Sequence, residues 1–130
     1  MEMEGCRLEA YKDAAGVPTI GYGHTKDVRM GDRISAFWAK ELLKEDIEEA
    51  EWEVKKLRVA RTEGQLDALT SFAFNLGIGR LKESTLLQVI REGGSKRAIV
   101  REFKRWVYAG GKLMPGLERR REWEAMRFFE

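Results

Sequence analysis

Glu4, Asp13 and Thr19 are the residues of this chain whose types and spacing could do chemistry. The stretch "GCRLEAYK" separates the two carboxylates, and "AAGVP" separates Asp13 from Thr19. Two acids set apart by a hairpin can face each other across a bound chain. Glycoside hydrolysis needs that arrangement: one acid protonates the leaving oxygen, and the other assists on the opposite face of the sugar. A hydroxyl such as that of Thr19 could hold the attacking water. The same trio could equally be two surface acids and a strand threonine, so the elements that must position it matter.

"RLEAY" and "PTIGYGH" flank "KDAAGV". The flanks carry apolar and β-prone residues, and Asp/Gly turn chemistry sits between them, which predicts a hairpin from about Leu8 to His24. "KDVRMGDR" continues as turn and loop. Ser35 can cap a helix in which Phe37, Leu42, Leu43, Ile47, Ala50, Val54 and Leu57 recur at helical spacing. Thr62 and Gln65 form a capping-box pattern before Leu66, Leu69, Phe72, Ala73 and Leu76, with Gly77 and Gly79 after them. A shorter helix follows Ser84 or Thr85, and another follows Ser95 with Ile99, Val100, Phe103, Trp106 and Val107 as its stripe. "AGGKLMPG" breaks the chain before a last helix, "LERRREWEAMRFF". The expected fold is α+β and mostly helical, a single domain over 1–130. A β lobe (1–34) carries the trio, a connecting helix spans 35–57, and a helical lobe spans 58–130.

At 130 residues the chain can bury a core without disulfides or metals. One cysteine excludes an internal disulfide, and a single histidine without a C-x-x-C argues against zinc, so neither metal nor cofactor is expected. No apolar run reaches membrane-spanning length, and the first residues lack the order of a signal peptide. The net charge of +2 decides little, but it is unevenly spread. "ELLKEDIEEAEWE" holds seven acids and one lysine, whereas Lys96–Arg127 holds ten bases and four acids. That contrast reads either as two solvated helix faces or as a basic surface facing a polyanion such as cell wall or nucleic acid.

The residues around the trio add a resemblance. "EGCRLEAYKDAAGVPTIGYGHT" resembles the active-site segment of phage-type lysozymes, the endolysin family of muramidases, whose pattern is roughly E-G-x-x-L-x-A-Y-x-D-x-x-G-x-x-T-x-G-x-G-H. Glu4, Gly5, Leu8, Ala10, Tyr11, Asp13, Gly16, Thr19, Gly21, Gly23 and His24 fit it. "QLDALTSFAFNLGIGRLKESTLL" is similar to the helix that walls the family's cleft, and "RWVYAGGKLMPGLERRREWE" to its closing segment. The resemblance implies a lysozyme-like fold and hydrolysis of the β-1,4 bond between N-acetylmuramic acid and N-acetylglucosamine in peptidoglycan, for host lysis. It implies Glu4 as general acid, Asp13 as second carboxylate and Thr19 as the residue that positions water. It implies Gly23, Phe74, Asn75, Gly77 and Ser84 as substrate-binding, with His24, Arg119 and Arg120 in support. His24 reads as structural, and Cys6 as a small buried side chain without an activating base. Trp38, Trp52, Trp106 and Trp123 could stack on sugars but suit core or surface positions at helical spacing.

The partner implied is bacterial peptidoglycan, met by a monomer that stays in the host cytoplasm until release and then acts on the wall or periplasm. Release is open between holin-dependent and export-dependent routes. A family helix normally precedes the catalytic Glu, and only "MEM" precedes Glu4 here. That departure predicts weak positioning of Glu4 and leaves a weak or inactive wall-binding relative as the alternative. A second alternative is a helix-turn-helix nucleic-acid module built on "QLDALTSFAFNLGIGRLKESTLLQVI". Its reading helix would be apolar at Leu86, Leu87, Val89 and Ile90, and it would leave the Glu4–Thr19 segment unused.

Overall fold

The computed structural model describes residues 5–130. The Asp/Gly stretch folds the first segment back on itself. Strand β1 (Arg7–Lys12) pairs antiparallel with β2 (Pro18–Gly21), with Tyr11 opposite Thr19 and Lys12 opposite Pro18. The register slips between Arg7 and Tyr11, as at a bulge, which bends a strand and increases its twist. The following "KDVRMGDR" is more than the loop its composition predicts. Its end returns to the free edge of β1, where Ala10 N–H donates to Asp32 O at 2.9 Å and Ile34 N–H to Leu8 O at 2.9 Å. Those bonds satisfy backbone groups that an edge strand otherwise leaves open.

Helix α1 (Ala36–Leu57) starts where Ser35 caps it, with Trp38 N–H donating to Ser35 Oγ at 3.1 Å. The chain packs as two compact units that divide inside this helix, between Glu48 and Glu49. The earlier half of α1 belongs with the hairpin. Ala39 is fully buried there, and its Cα and Cβ would lie 3.5 Å from a Cβ placed on Gly21. Phe37, expected in the apolar stripe, is 64% exposed instead. The close approach to Gly21 admits alanine, and Phe37 turns outward to meet Trp38 edge-on at 5.6 Å.

The later half of α1 supplies Ala50 and Val54 to the core of the second unit. Thr62 caps α2 (Glu63–Leu76), accepting from Gln65 N–H at 3.1 Å. The return bond of the box is displaced by one residue: Gln65 Oε1 accepts from Arg61 N–H at 2.8 Å. Gly77, at φ +97°, ends α2, and its N–H donates to Ala73 O. The chain does not pause there as a turn. Ile78–Glu83 forms a short α3, and Ser84 caps α4 (Thr85–Arg91). Leu86 and Leu87 are buried, so the segment that would have read bases is core.

Ser95 caps α5 (Lys96–Lys104), which stops before Trp106 and Val107. "YAGGKL" forms a minimal hairpin, β3 (Tyr108–Ala109) on β4 (Lys112–Leu113), turning through Gly110 and Gly111 at φ +58° and +78°. Two successive positive φ values are the geometry that glycine pairs supply in tight hairpins. Pro115 opens α6 (Pro115–Phe128) as a first-turn proline. The core of this unit centres on Phe72, which meets Phe103 at 6.1 Å and Trp106 at 5.5 Å, both edge-on. Phe103 in turn meets Phe128 at 5.8 Å.

Candidate active site

Glu4 lies outside the described residues. Of the expected trio, Asp13 and Thr19 are placed at the tip of the β1–β2 hairpin. Asp13 follows the last residue of β1, and its Oδ1 accepts from Ala15 N–H at 2.8 Å and Val17 N–H at 2.9 Å. This is an Asx-type turn, in which a short side chain substitutes for backbone acceptors. Oδ2 makes no hydrogen bond among the described residues. Thr19 is buried on β2, and its hydroxyl donates to Val17 O at 2.9 Å. With its proton committed, the Oγ1 lone pairs can only accept, as in holding a water by one of its hydrogens.

His24 lies beyond β2 and is tied on both sides. Nδ1 is 2.9 Å from Asp46 Oδ2 on α1, and Nε2 is 2.9 Å from Lys26 O. Both ring nitrogens are spent on fixing the end of the hairpin to the helix and to the next loop. Gly23, at φ +92°, stands between the hairpin and this anchor, and the Ile20 and His24 backbones pair around it at 2.9 Å in both directions. Cys6, expected to be buried, is exposed instead, because the chain entering β1 runs along the surface and Arg7, Leu8 and Glu9 are exposed with it. Contact with Cys6 raises the Tyr22 pKa, first through a side-chain hydrogen bond.

In the second unit, Phe74 and Asn75 end α2, and both are half-buried. Gly77 is exposed. Ser84 is buried, and its hydroxyl is engaged twice: it donates to Leu81 O at 2.7 Å and accepts from Leu87 N–H at 3.1 Å. Its observed duty is to cap α4. Of the two arginines expected in support, Arg119 is exposed and Arg120 is buried.

Two side chains that the sequence reading passed over complete this region. Arg121 and Glu124 are both fully buried. Arg121 Nη2 donates to Glu124 Oε2 at 3.0 Å and to Asn75 Oδ1 at 2.9 Å, and Ser71 Oγ donates to Glu124 Oε2 at 2.5 Å. Arg121 Nε also lies 2.9 Å from Glu124 Oε1, a charge contact poorly aligned for a hydrogen bond. The guanidinium stands over the Phe72 ring at 5.1 Å. Burial pushes the Glu124 carboxyl up to about 7, against the opposing fields of Arg121 and Arg120. Burial likewise lowers the Arg121 pKa, partly offset by Glu124. Desolvation outweighs mutual attraction for both partners, as is common for buried ion pairs.

The signal for this pair is present in "RRREWE". Successive helical residues are ~100° apart, so three arginines in a row cannot share one face. Arg120, Arg121 and Glu124 fall on one arc with Ala125 and Phe128, the apolar residues of α6 that enter the core. The basic run therefore divides into a solvated part and a buried part. Among the described residues, no cluster of three or more His, Cys, Asp or Glu side chains could hold a metal ion. No helix among them is long and apolar enough to cross a membrane.

Solved structures with a similar fold define the class. An endolysin from the Escherichia coli phage FAHEc1 matches with a TM-score of 0.76 and 34% identity, over 99% of this chain and 87% of that one. The muramidase domain of SpmX from Asticaccaulis excentricus matches with a TM-score of 0.81 and 32% identity, over 99% and 90%. The fold is thus lysozyme-like, mostly helical with two small two-stranded sheets. The chain belongs to the phage lysozyme family, whose model matches residues 1–124. An endolysin of Bacillus phage B103 is 46% identical over 132 aligned positions, covering 96% of this chain and 49% of that protein. The chain therefore spans about half the length of such Bacillus phage relatives.

Proposed function

We propose that this chain is a muramidase that hydrolyses the β-1,4 bond between N-acetylmuramic acid and N-acetylglucosamine in peptidoglycan, in the service of phage-induced lysis. Membership of the phage lysozyme family over residues 1–124 carries the reading. The hairpin geometry supports it: Asp13 keeps one carboxylate oxygen for a solute, and Thr19 is an oriented acceptor.

In this reading Glu4 donates a proton to the leaving glycosidic oxygen. Asp13 stabilises the cationic sugar or activates the water, and Thr19 holds that water in line. The chain works as one lysozyme domain and as a monomer, without metal or cofactor. It acts on the wall after leaving the host cytoplasm. The burial of Leu86 and Leu87 on α4 removes the motive for a nucleic-acid reading.

The test is product analysis on purified peptidoglycan. A muramidase leaves N-acetylmuramic acid at each new reducing end. Release of N-acetylglucosamine reducing ends, or of free peptide without new reducing ends, contradicts the assignment. The anomer first released also tells whether the reaction inverts or retains configuration.

A further inference from the structure

The buried Arg121–Glu124 pair reaches past the core to a side chain that is only half-buried. Arg121 Nη2 donates to Asn75 Oδ1 at 2.9 Å. A guanidinium has donors only, so it can face the carbonyl oxygen of an amide but not its NH2 group. The amide of Asn75 therefore has one permitted orientation for as long as Arg121 stays in place. Arg121 does stay in place: Glu124 holds it through two contacts at 2.9 and 3.0 Å, and Ser71 fixes the same Glu124 oxygen from α2. Phe72 packs beneath the guanidinium plane.

The other end of the amide is left over. Asn75 Nδ2 has no hydrogen-bond partner among the described residues, yet it is not one of the buried, unsatisfied atoms. It consequently reaches solvent as a donor. We infer that Arg121, clamped by Glu124 and Ser71, is a positioning residue that turns Asn75 into an obligate hydrogen-bond donor for a carbonyl or hydroxyl oxygen of the bound glycan. The glycan rests on the muramidase reading above; the clamp and the orientation do not.

The substitution Asn75→Asp separates the two ends of the amide. Aspartate keeps an oxygen for Arg121 and removes both N–H donors. The expected result on solubilised glycan chains is a KM raised about threefold to tenfold, the loss of one or two ligand hydrogen bonds. The kcat should stay within about twofold, and the melting temperature should be unchanged or higher. A purely structural Asn75 gives the reverse pattern, an altered melt with KM intact, and overturns the inference.

Arg121→Lys supplies the second arm, since one ammonium cannot reproduce the fork to Glu124 and Asn75. If it folds, its KM should rise, and Arg121→Lys/Asn75→Ala should bind no worse than Asn75→Ala alone. Multiplying KM effects in the double variant overturn the inference, because they mean the two residues act independently. Glu124→Gln replaces Arg121→Lys in the same cycle if the lysine variant does not fold.

Side-chain amide NMR of Asn75 in the full chain gives a readout that needs no activity. In the wild type the two NH2 signals should be displaced from those of a free asparagine amide, and in the clamp variant both should move towards the free-amide positions. Identical spectra in both overturn the inference. Absence of muramidase activity in a wild type with the clamped amide signals sinks the reaction assignment and leaves the clamp standing.

Discussion

Asp13 divides its two oxygens between structure and chemistry. Oδ1 closes the hairpin turn through Ala15 and Val17, and Oδ2 is free of partners among the described residues. Asp13→Asn should therefore preserve the turn, because an amide oxygen accepts the same two bonds. It removes the charge that the proposed reaction uses. We expect a melting temperature close to wild type and wall-clearing activity lower by on the order of 10²-fold. Retained activity with a normal melt would remove Asp13 from the mechanism.

Glu124 gives a prediction in pH. Its folded-state pKa is raised to about 7 from the ordinary 4.5. The native state then binds more protons than the unfolded chain between those values, so stability falls as pH rises through that window. The stabilisation is fully present below pH 4.5 and lost once pH passes about 7. Glu124→Gln stays neutral and should lack this slope, by on the order of 1–3 kcal/mol across the window. Thermal melts of both proteins from pH 4.5 to 8 check it; parallel curves would contradict it.

At the scale of elements, the contact of α2 with α6 is the tightest point available to test. A Cβ on Gly64 would lie 2.3 Å from Arg127 O and 2.9 Å from Glu130 O. Backbone atoms cannot swing aside as side-chain ends can. Gly64→Ala should cost about 1–3 kcal/mol despite the better helix propensity of alanine, read as a lower denaturant midpoint. A neutral or stabilising substitution would mean that the first turn of α2 is free to shift.

The elements were legible where local chemistry decides them. Ser35, Thr62, Ser84 and Ser95 each cap a helix with a side-chain bond, as their types and places suggest. What the sequence hid depends on tertiary contact. The edge pairing at Asp32 and Ile34 needs β1 beside it, and α3 begins directly after a glycine that looks like a stop. The Gly110–Gly111 hairpin is too short to show alternation. For the site, the family pattern brought out Asp13 and Thr19, whose roles remain proposals. Arg121 and Glu124 were masked because a charged run reads as solvated, and only the packing of α6 reveals which side of it faces inward.

On the scale of the whole molecule, the same packing changes the meaning of the charge balance. Two members of the basic third, Arg120 and Arg121, are buried, whereas Lys96, Arg97, Arg101 and Lys104 on α5 are exposed. The bases thus serve two ends, internal fixation near α2 and an outward positive face. That face suits a wall polymer bearing negative charge, a general electrostatic attraction rather than a specific site. The two compact units divide within α1, so one continuous helix carries residues of both.

Glu4 is where that account is most exposed to test, since every proposed step begins with its proton. Glu4→Gln keeps shape and polarity but has no acid to give. General acid catalysis contributes ~10²–10⁴-fold, so wall clearing by the variant should fall by about that factor while its circular dichroism and melting temperature match wild type. The measurement is turbidity loss of purified bacterial walls under one buffer, with wild type and variant at equal concentration. Clearing by folded Glu4→Gln at the wild-type rate would contradict the muramidase mechanism set out for this chain.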